Sequence, residues 1–225
     1  SNPDTKLKNL IFSDIGKLLI YDGRYKEAKI YFHPNKNENL NDQTIGYLNS
    51  LLYGLEIDSA MTFLDQIILS IDTSNKYFND IFEIHDLIKN YYADGTKDDK
   101  IAFKAFFKAE SLINEYKLKE AIKVLESIRI NHSDSMIYPI ITLRMALLSI
   151  DLMQFEKSII YALAMEDTNL KDVGLTLAAE VEESYLKNTE NALRYYYRVL
   201  AECSGSLLAD PVRLHLRKIS KNRES

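Results

Sequence analysis

The run Phe12-Ser13-Asp14-Ile15-Gly16-Lys17-Leu18-Leu19-Ile20-Tyr21-Asp22-Gly23-Arg24-Tyr25-Lys26-Glu27-Ala28-Lys29-Ile30-Tyr31-Phe32 decides the fold. Apolar residues recur in it at spacings of three and four, the signature of a helix with one buried face. Asp22-Gly23 interrupts the pattern with turn chemistry, so the run reads as two helices folded back on each other. Its second half opens with an aromatic residue, two polar residues and a small one, Tyr25-Lys26-Glu27-Ala28. Two antiparallel helices cross closely only where a small side chain lets the backbones approach, and Ala28 supplies that place.

The same pattern returns along the chain as Ile57-Asp58-Ser59-Ala60, Leu118-Lys119-Glu120-Ala121, Phe155-Glu156-Lys157-Ser158 and Thr189-Glu190-Asn191-Ala192. Its small residues are 32, 61, 37 and 34 apart, close to one helical-hairpin period except where the longest interval holds an extra helix. Gly16, Ala109 and Ala146 lie twelve positions before Ala28, Ala121 and Ser158 and form matching notches on the first helices. Leu48 stands where the second hairpin needs a small residue, Met153 where the fourth would turn on glycine, and the fifth reads about two residues short. Turn chemistry at His33-Pro34-Asn35, Asp72 to Asn75, Asp94-Gly95, Asn131 to Asp134 and Ser204-Gly205 marks the other breaks. Twelve helices are predicted, near 5–21, 24–32, 42–54, 57–70, 76–92, 98–115, 118–129, 136–152, 155–165, 171–187, 189–202 and 207–220.

These residues resemble the tetratricopeptide repeat family. The first hairpin matches through Phe12, Ile15-Gly16, Leu19, Gly23, Tyr25, Ala28 and Phe32, and the third through Ala109, Leu112, Leu118, Ala121, Leu125 and Ile128. The run from Asn191 to Leu216 looks like the last repeat and capping helix of bacterial envelope-type repeat proteins. The resemblance implies an all-α fold, a right-handed superhelical array of antiparallel hairpins. The expected organisation is one domain over 1–225: two hairpins in 1–71, an inserted helix in 72–97, three hairpins in 98–203, and a capping helix with a basic tail in 204–225.

Composition narrows the function. With 28 Lys and Arg against 33 Asp and Glu, the formal charge is -5, unlike a protein that holds a phosphate backbone. No apolar run is long enough to cross a bilayer. Seven scattered glycines build no phosphate-cradling loop, and His33, His85, His132 and His215 have no second ligand at metal spacing. Cys203 reads as a structural thiol, and acidic pairs such as Asp98-Asp99 and Glu182-Glu183 read as solvated helix faces. No catalytic, cofactor or metal site is expected, and the reading is not an enzyme.

If the family's register holds, first helices line the concave face, and Phe103, Phe106, Ile113, Leu143, Leu147 and Ile150 form an apolar strip there. It lacks the basic set with which chaperone adaptors of this family hold a C-terminal carboxylate. Two readings stand: the strip receives a protein or peptide partner, or the helix near 76–92, rich in aromatic and aliphatic residues, covers it. A second copy of the chain is a further occupant. Tyr195-Tyr196-Tyr197 cannot all face inward, so one is expected at the surface. Arg213, Arg217, Lys218, Lys221 and Arg223 read either as a solvated helix end or as a patch for an anionic partner.

The expected role is a non-catalytic interaction scaffold presenting a curved apolar groove. The alternatives are a structural subunit of a cell-envelope assembly and a non-catalytic part of a larger enzyme. The chain starts at Ser1 rather than Met, and it is read as one segment of a longer or membrane-tethered protein. The expected location is the bacterial cell envelope, on the periplasmic side, with the cytoplasm as the alternative.

Overall fold

The computed structural model describes residues 3–32 and 41–223. Among them there are twelve α-helices and no strand: α1 Pro3–Tyr21, α2 Tyr25–Tyr31, α3 Asp42–Tyr53, α4 Ile57–Ile68, α5 Phe78–Ile88, α6 Lys97–Asn114, α7 Leu118–Asn131, α8 Tyr138–Asp151, α9 Phe155–Leu163, α10 Lys171–Ser184, α11 Thr189–Glu202 and α12 Ala209–Arg223. A π-helical turn, Lys89–Ala93, continues α5. The predicted turn at His33-Pro34-Asn35 lies outside the described residues. The chain divides into two compact units, residues 1–137 and 138–225. The boundary falls within the run 98–203 that the sequence reads as three continuous hairpins.

Five helix pairs pack as hairpins: α1 with α2, α3 with α4, α6 with α7, α8 with α9, and α10 with α11. The small residue of every repeated motif, Ala28, Ala60, Ala121, Ser158 and Ala192, is fully buried. So is the side chain four positions on, Phe32, Leu64, Leu125, Ala162 or Tyr196, each at most 3% exposed. One turn of helix separates the two, so both face the partner helix.

The turns are as regular as the crossings. Five residues before each small residue the backbone adopts a positive φ, at Gly23, Leu55, Tyr116, Met153 and Lys187. In the first four turns the following N–H reaches back five residues: Arg24 to the Leu19 carbonyl (2.8 Å), Glu56 to Leu51 (2.9 Å), Lys117 to Leu112 (2.8 Å) and Gln154 to Ser149 (2.7 Å). This is the Schellman closure, which pairs carbonyls that a helix end leaves open. It fixes the angle at which the second helix returns. Only the first turn has glycine there; the other four hold side chains in a left-handed conformation that costs roughly 1–2 kcal/mol.

The fifth hairpin corrects the sequence reading. Its turn is one residue longer than the others, since Asn188 N–H bonds the Glu182 carbonyl six residues back (2.8 Å). The notch therefore moves to Ala179, thirteen positions before Ala192 and fully buried. The second hairpin keeps its bulky Leu48, also fully buried.

Glycine does its work beside that hairpin. The Phe32 ring closes α2 and lies against both Gly16 of α1 and Gly46 of α3; a Cβ would sit 2.5 Å and 2.2 Å from it. In the second unit, a Cβ on Gly174 of α10 would stand 2.3 Å from the Ala162 carbonyl oxygen of α9.

Links between hairpins also repeat. Asn75, Ser135, Thr168 and Ser206 each donate a backbone N–H to the carbonyl three residues earlier, at 2.9–3.1 Å. The side-chain oxygens of Asn75, Thr168 and Ser206 accept the N–H two residues on. Such Asn, Ser and Thr turns compete with helix and mark its start. An aspartate from the first turn of an earlier helix holds each of three links: Asp42 accepts from the Tyr77 hydroxyl (2.5 Å), Asp99 from the Met136 N–H (2.8 Å), and Asp172 from the Ser206 hydroxyl. The partners are 35, 37 and 34 positions apart, close to one hairpin period.

In the first unit, α5 packs on α4, and its π-helical turn packs on α6. The helix α6 meets α3 directly, so α5 is set beside the row of first helices α1, α3 and α6. The end of α6 returns to the first hairpin, where Glu115 accepts from the Tyr25 hydroxyl (2.5 Å) and from Lys117 Nζ (2.6 Å). Burial opposes the Glu115 charge, but these hydrogen bonds and the cations of Lys117 and Lys108 outweigh it and lower its pKa. Burial likewise opposes the Asp99 charge, and hydrogen bonds from Met136 and Thr96 win there; Asp99 and Glu182, expected on solvated faces, are both buried because hydrogen-bond donors meet their carboxylates.

Three outcomes follow from this construction. Gly46→Ala should cost about 1–3 kcal/mol in chemical denaturation, because the ring of Phe32 has no free side to move into. Met153→Gly, at a position 80% exposed, should gain about 0.5–1 kcal/mol by relieving left-handed strain, read as a higher melting temperature. A depressed carboxyl contributes stability present above its unfolded pKa and lost as pH falls through the folded value. Melting followed by circular dichroism should therefore be carboxylate-limited below about pH 4, with Asp99→Asn and Glu115→Gln less stable at neutral pH and less sensitive to acid.

Candidate partner-binding groove

The second unit carries an open pocket of about 650 Å³ built from the faces of α8, α10 and α12, with one residue of α11 beneath. From α8 come Leu147 and Ile150, one helical turn apart, and α10 brings Thr176, Leu177, Glu180, Val181 and Ser184 on a single face. Leu208, just before α12, and Pro211, Val212 and His215 of α12 close the far side.

At one end stands a polar cluster. Glu183 Oε2 accepts the Tyr196 hydroxyl at 3.0 Å and lies 2.7 Å from His215 Nε2, joining α10, α11 and α12. The Tyr196 and His215 rings meet edge to face at 5.2 Å. Burial, then the hydrogen bond to Glu183 and the charges of Glu183 and Glu180, push the Tyr196 phenol well above its usual range. A tyrosine held neutral in this way is a hydrogen-bond donor to a carboxylate, and the cluster locks the wall. Tyr185, half exposed at the rim, stacks on Phe155 with ring centres 4.6 Å apart.

The six residues of the predicted apolar strip divide between the two units. Leu147 and Ile150 line the groove, and Leu147 is 37% exposed. Leu143, on the same helix, is half-buried and outside the lining. In the first unit Ile113 is half-buried, while Phe103 and Phe106 are core residues. Phe103 packs against Phe107 at 5.0 Å and against Tyr92 of the π-helical turn at 5.5 Å. Tyr92, at the end of the extra segment, thus seals Phe103. Sequence reading missed the contribution of α10 and α12, because Leu177, Glu180 and Val212 carry no motif and gain meaning only from their neighbours.

The first unit has a smaller pocket, about 210 Å³, at the ends of α1, α3 and α6; polar groups fill its rim, with Lys17 3.6 Å from Asp42. The described histidines pair with carboxylates, His85 with Asp65 (3.1 Å) and Asp86 (3.5 Å), His132 with Asp98 (2.7 Å) and His215 with Glu183, while His33 lies outside the described residues. Among the described residues no group of three or more His, Cys, Asp or Glu could hold a metal ion. Cys203 is half-buried, and burial pushes its thiol pKa up, against nucleophilic use. Tyr195 and Tyr196 are buried and Tyr197 is exposed. No described helix is long and apolar enough to cross a membrane. No protein-family model matches the chain, and searches of curated proteins and of solved structures return no significant match.

Proposed function

We propose that the chain is a non-catalytic interaction scaffold of the tetratricopeptide kind, a right-handed α-solenoid that holds a protein partner in the groove on α8, α10 and α12. The observation that carries this reading is the groove itself. It offers an open apolar surface across three helices, on walls fixed before any partner arrives, so binding spends little on ordering the site. The five equivalent crossings and left-handed turns support the repeat assignment. The bacterial-envelope location rests on the likeness of residues 191–216 to envelope-type repeat endings.

A second reading, a structural subunit of an envelope assembly, is favoured by one feature. The first helix leaves Leu7, Leu10, Ile11 and Leu18 about half exposed or more, an apolar stripe on the outside of its unit.

Affinity capture from lysate of the source cells, with the whole chain and with Leu147→Glu as parallel baits, tests the scaffold reading. The expected result is one specific protein retained by the parent chain and lost from the variant, with matching thermal melts. Retention that ignores the groove substitution and is lost with Leu10→Glu would favour the assembly subunit instead.

A further inference from the structure

We propose that the groove selects a partner segment presenting apolar side chains together with a lysine or arginine, whose cation sits between Glu180 and Glu183. The proposal rests on the reading of the groove as a partner-binding surface and names what that surface prefers. Its apolar part, Leu147, Ile150, Leu177, Val181, Leu208 and Val212, runs across α8, α10 and the start of α12 and is open to solvent, a surface along which an extended protein segment can lie. A pocket of about 650 Å³ takes a few side chains of such a segment rather than a whole helix.

Charge sets the preference. The lining holds two carboxylates, neither lysine nor arginine, and one histidine, His215, which already faces Glu183. Glu180 and Glu183 are three positions apart on α10 and lie on neighbouring parts of one face. Glu180 is exposed and has no ion pair among the described residues. Glu183 uses Oε2 for both Tyr196 and His215, leaving Oε1 for a further donor. These bonds also hold the Glu183 carboxylate in place, so a cation meets a fixed partner. Apolar walls weaken solvent screening and strengthen a pair formed there, while an acidic segment meets two like charges. The preference is opposite to that of a carboxylate-binding clamp.

A phage-displayed library of random peptides, panned on the whole chain and counter-selected on the uncharged groove variant Leu147→Gln, supplies the test. Groove-dependent binders should be enriched in lysine and arginine over aspartate and glutamate. An enriched peptide, followed by fluorescence anisotropy, should lose about tenfold in affinity to Glu180→Lys. Leu147 is partly exposed and Glu180 exposed, so both variants should keep the parent melting curve. Groove-dependent binders without basic enrichment, or indifferent to Glu180→Lys, would overturn the charge assignment and leave the groove reading standing. Absence of any binder that depends on Leu147 would overturn both. Light scattering on the same samples should find a monomer; a dimer that Leu147→Gln dissociates would make a second copy the occupant and overturn the proposal.

Discussion

Everything in this molecule hangs on the close crossing of two helices at a residue too small to keep them apart. Ala28, Ala60, Ala121, Ser158 and Ala192 occupy that place, and all are fully buried. Backbone approach there brings the side chain one turn later into the partner helix, and the apolar stripe of each hairpin follows from it. Ser158 fits by size alone, since its hydroxyl has no hydrogen-bond partner. The left-handed residue five positions earlier completes the constraint, because the helix must turn before it can cross. That four such turns tolerate Leu, Tyr, Met and Lys shows that the packing outweighs a local cost of roughly 1–2 kcal/mol at each.

Between hairpins the linkage is polar and periodic. Asp42, Asp99 and Asp172 each reach forward about one repeat to hold a later turn, so a carboxylate at a helix start both favours its own helix and pins a link further along the chain. Glu115 does something no periodic contact does. It ties the third hairpin's turn to Tyr25, 90 positions earlier, and binds the first unit across its inserted helix. Acid weakens these links together.

The groove is a by-product of this order. The faces that α8, α10 and α12 turn to the groove are largely apolar and carry two carboxylates, Glu180 and Glu183. A surface made this way has no need of a reactive group. Its selectivity lies in shape and in the sign of its charge, and the polar cluster of Tyr196, Glu183 and His215 contributes rigidity.

Spacing alone determined the helical class, the twelve segments and the five small residues at the crossings, because helix period and turn chemistry are local properties of a chain. Cys203 as a partly buried thiol, and the exposure of one of the three consecutive tyrosines, were likewise legible from their neighbours; that it is Tyr197 came from the packing. Only the tertiary structure decided where the apolar excess goes. Phe103 and Leu147 look alike in sequence, yet one is sealed beneath Tyr92 and the other opens onto a groove, since burial depends on which distant helix arrives. The shift of the fifth notch to Ala179 has the same origin: one extra residue in a turn rotates the preceding helix by about 100°, and only the crossing itself selects which small residue faces inward.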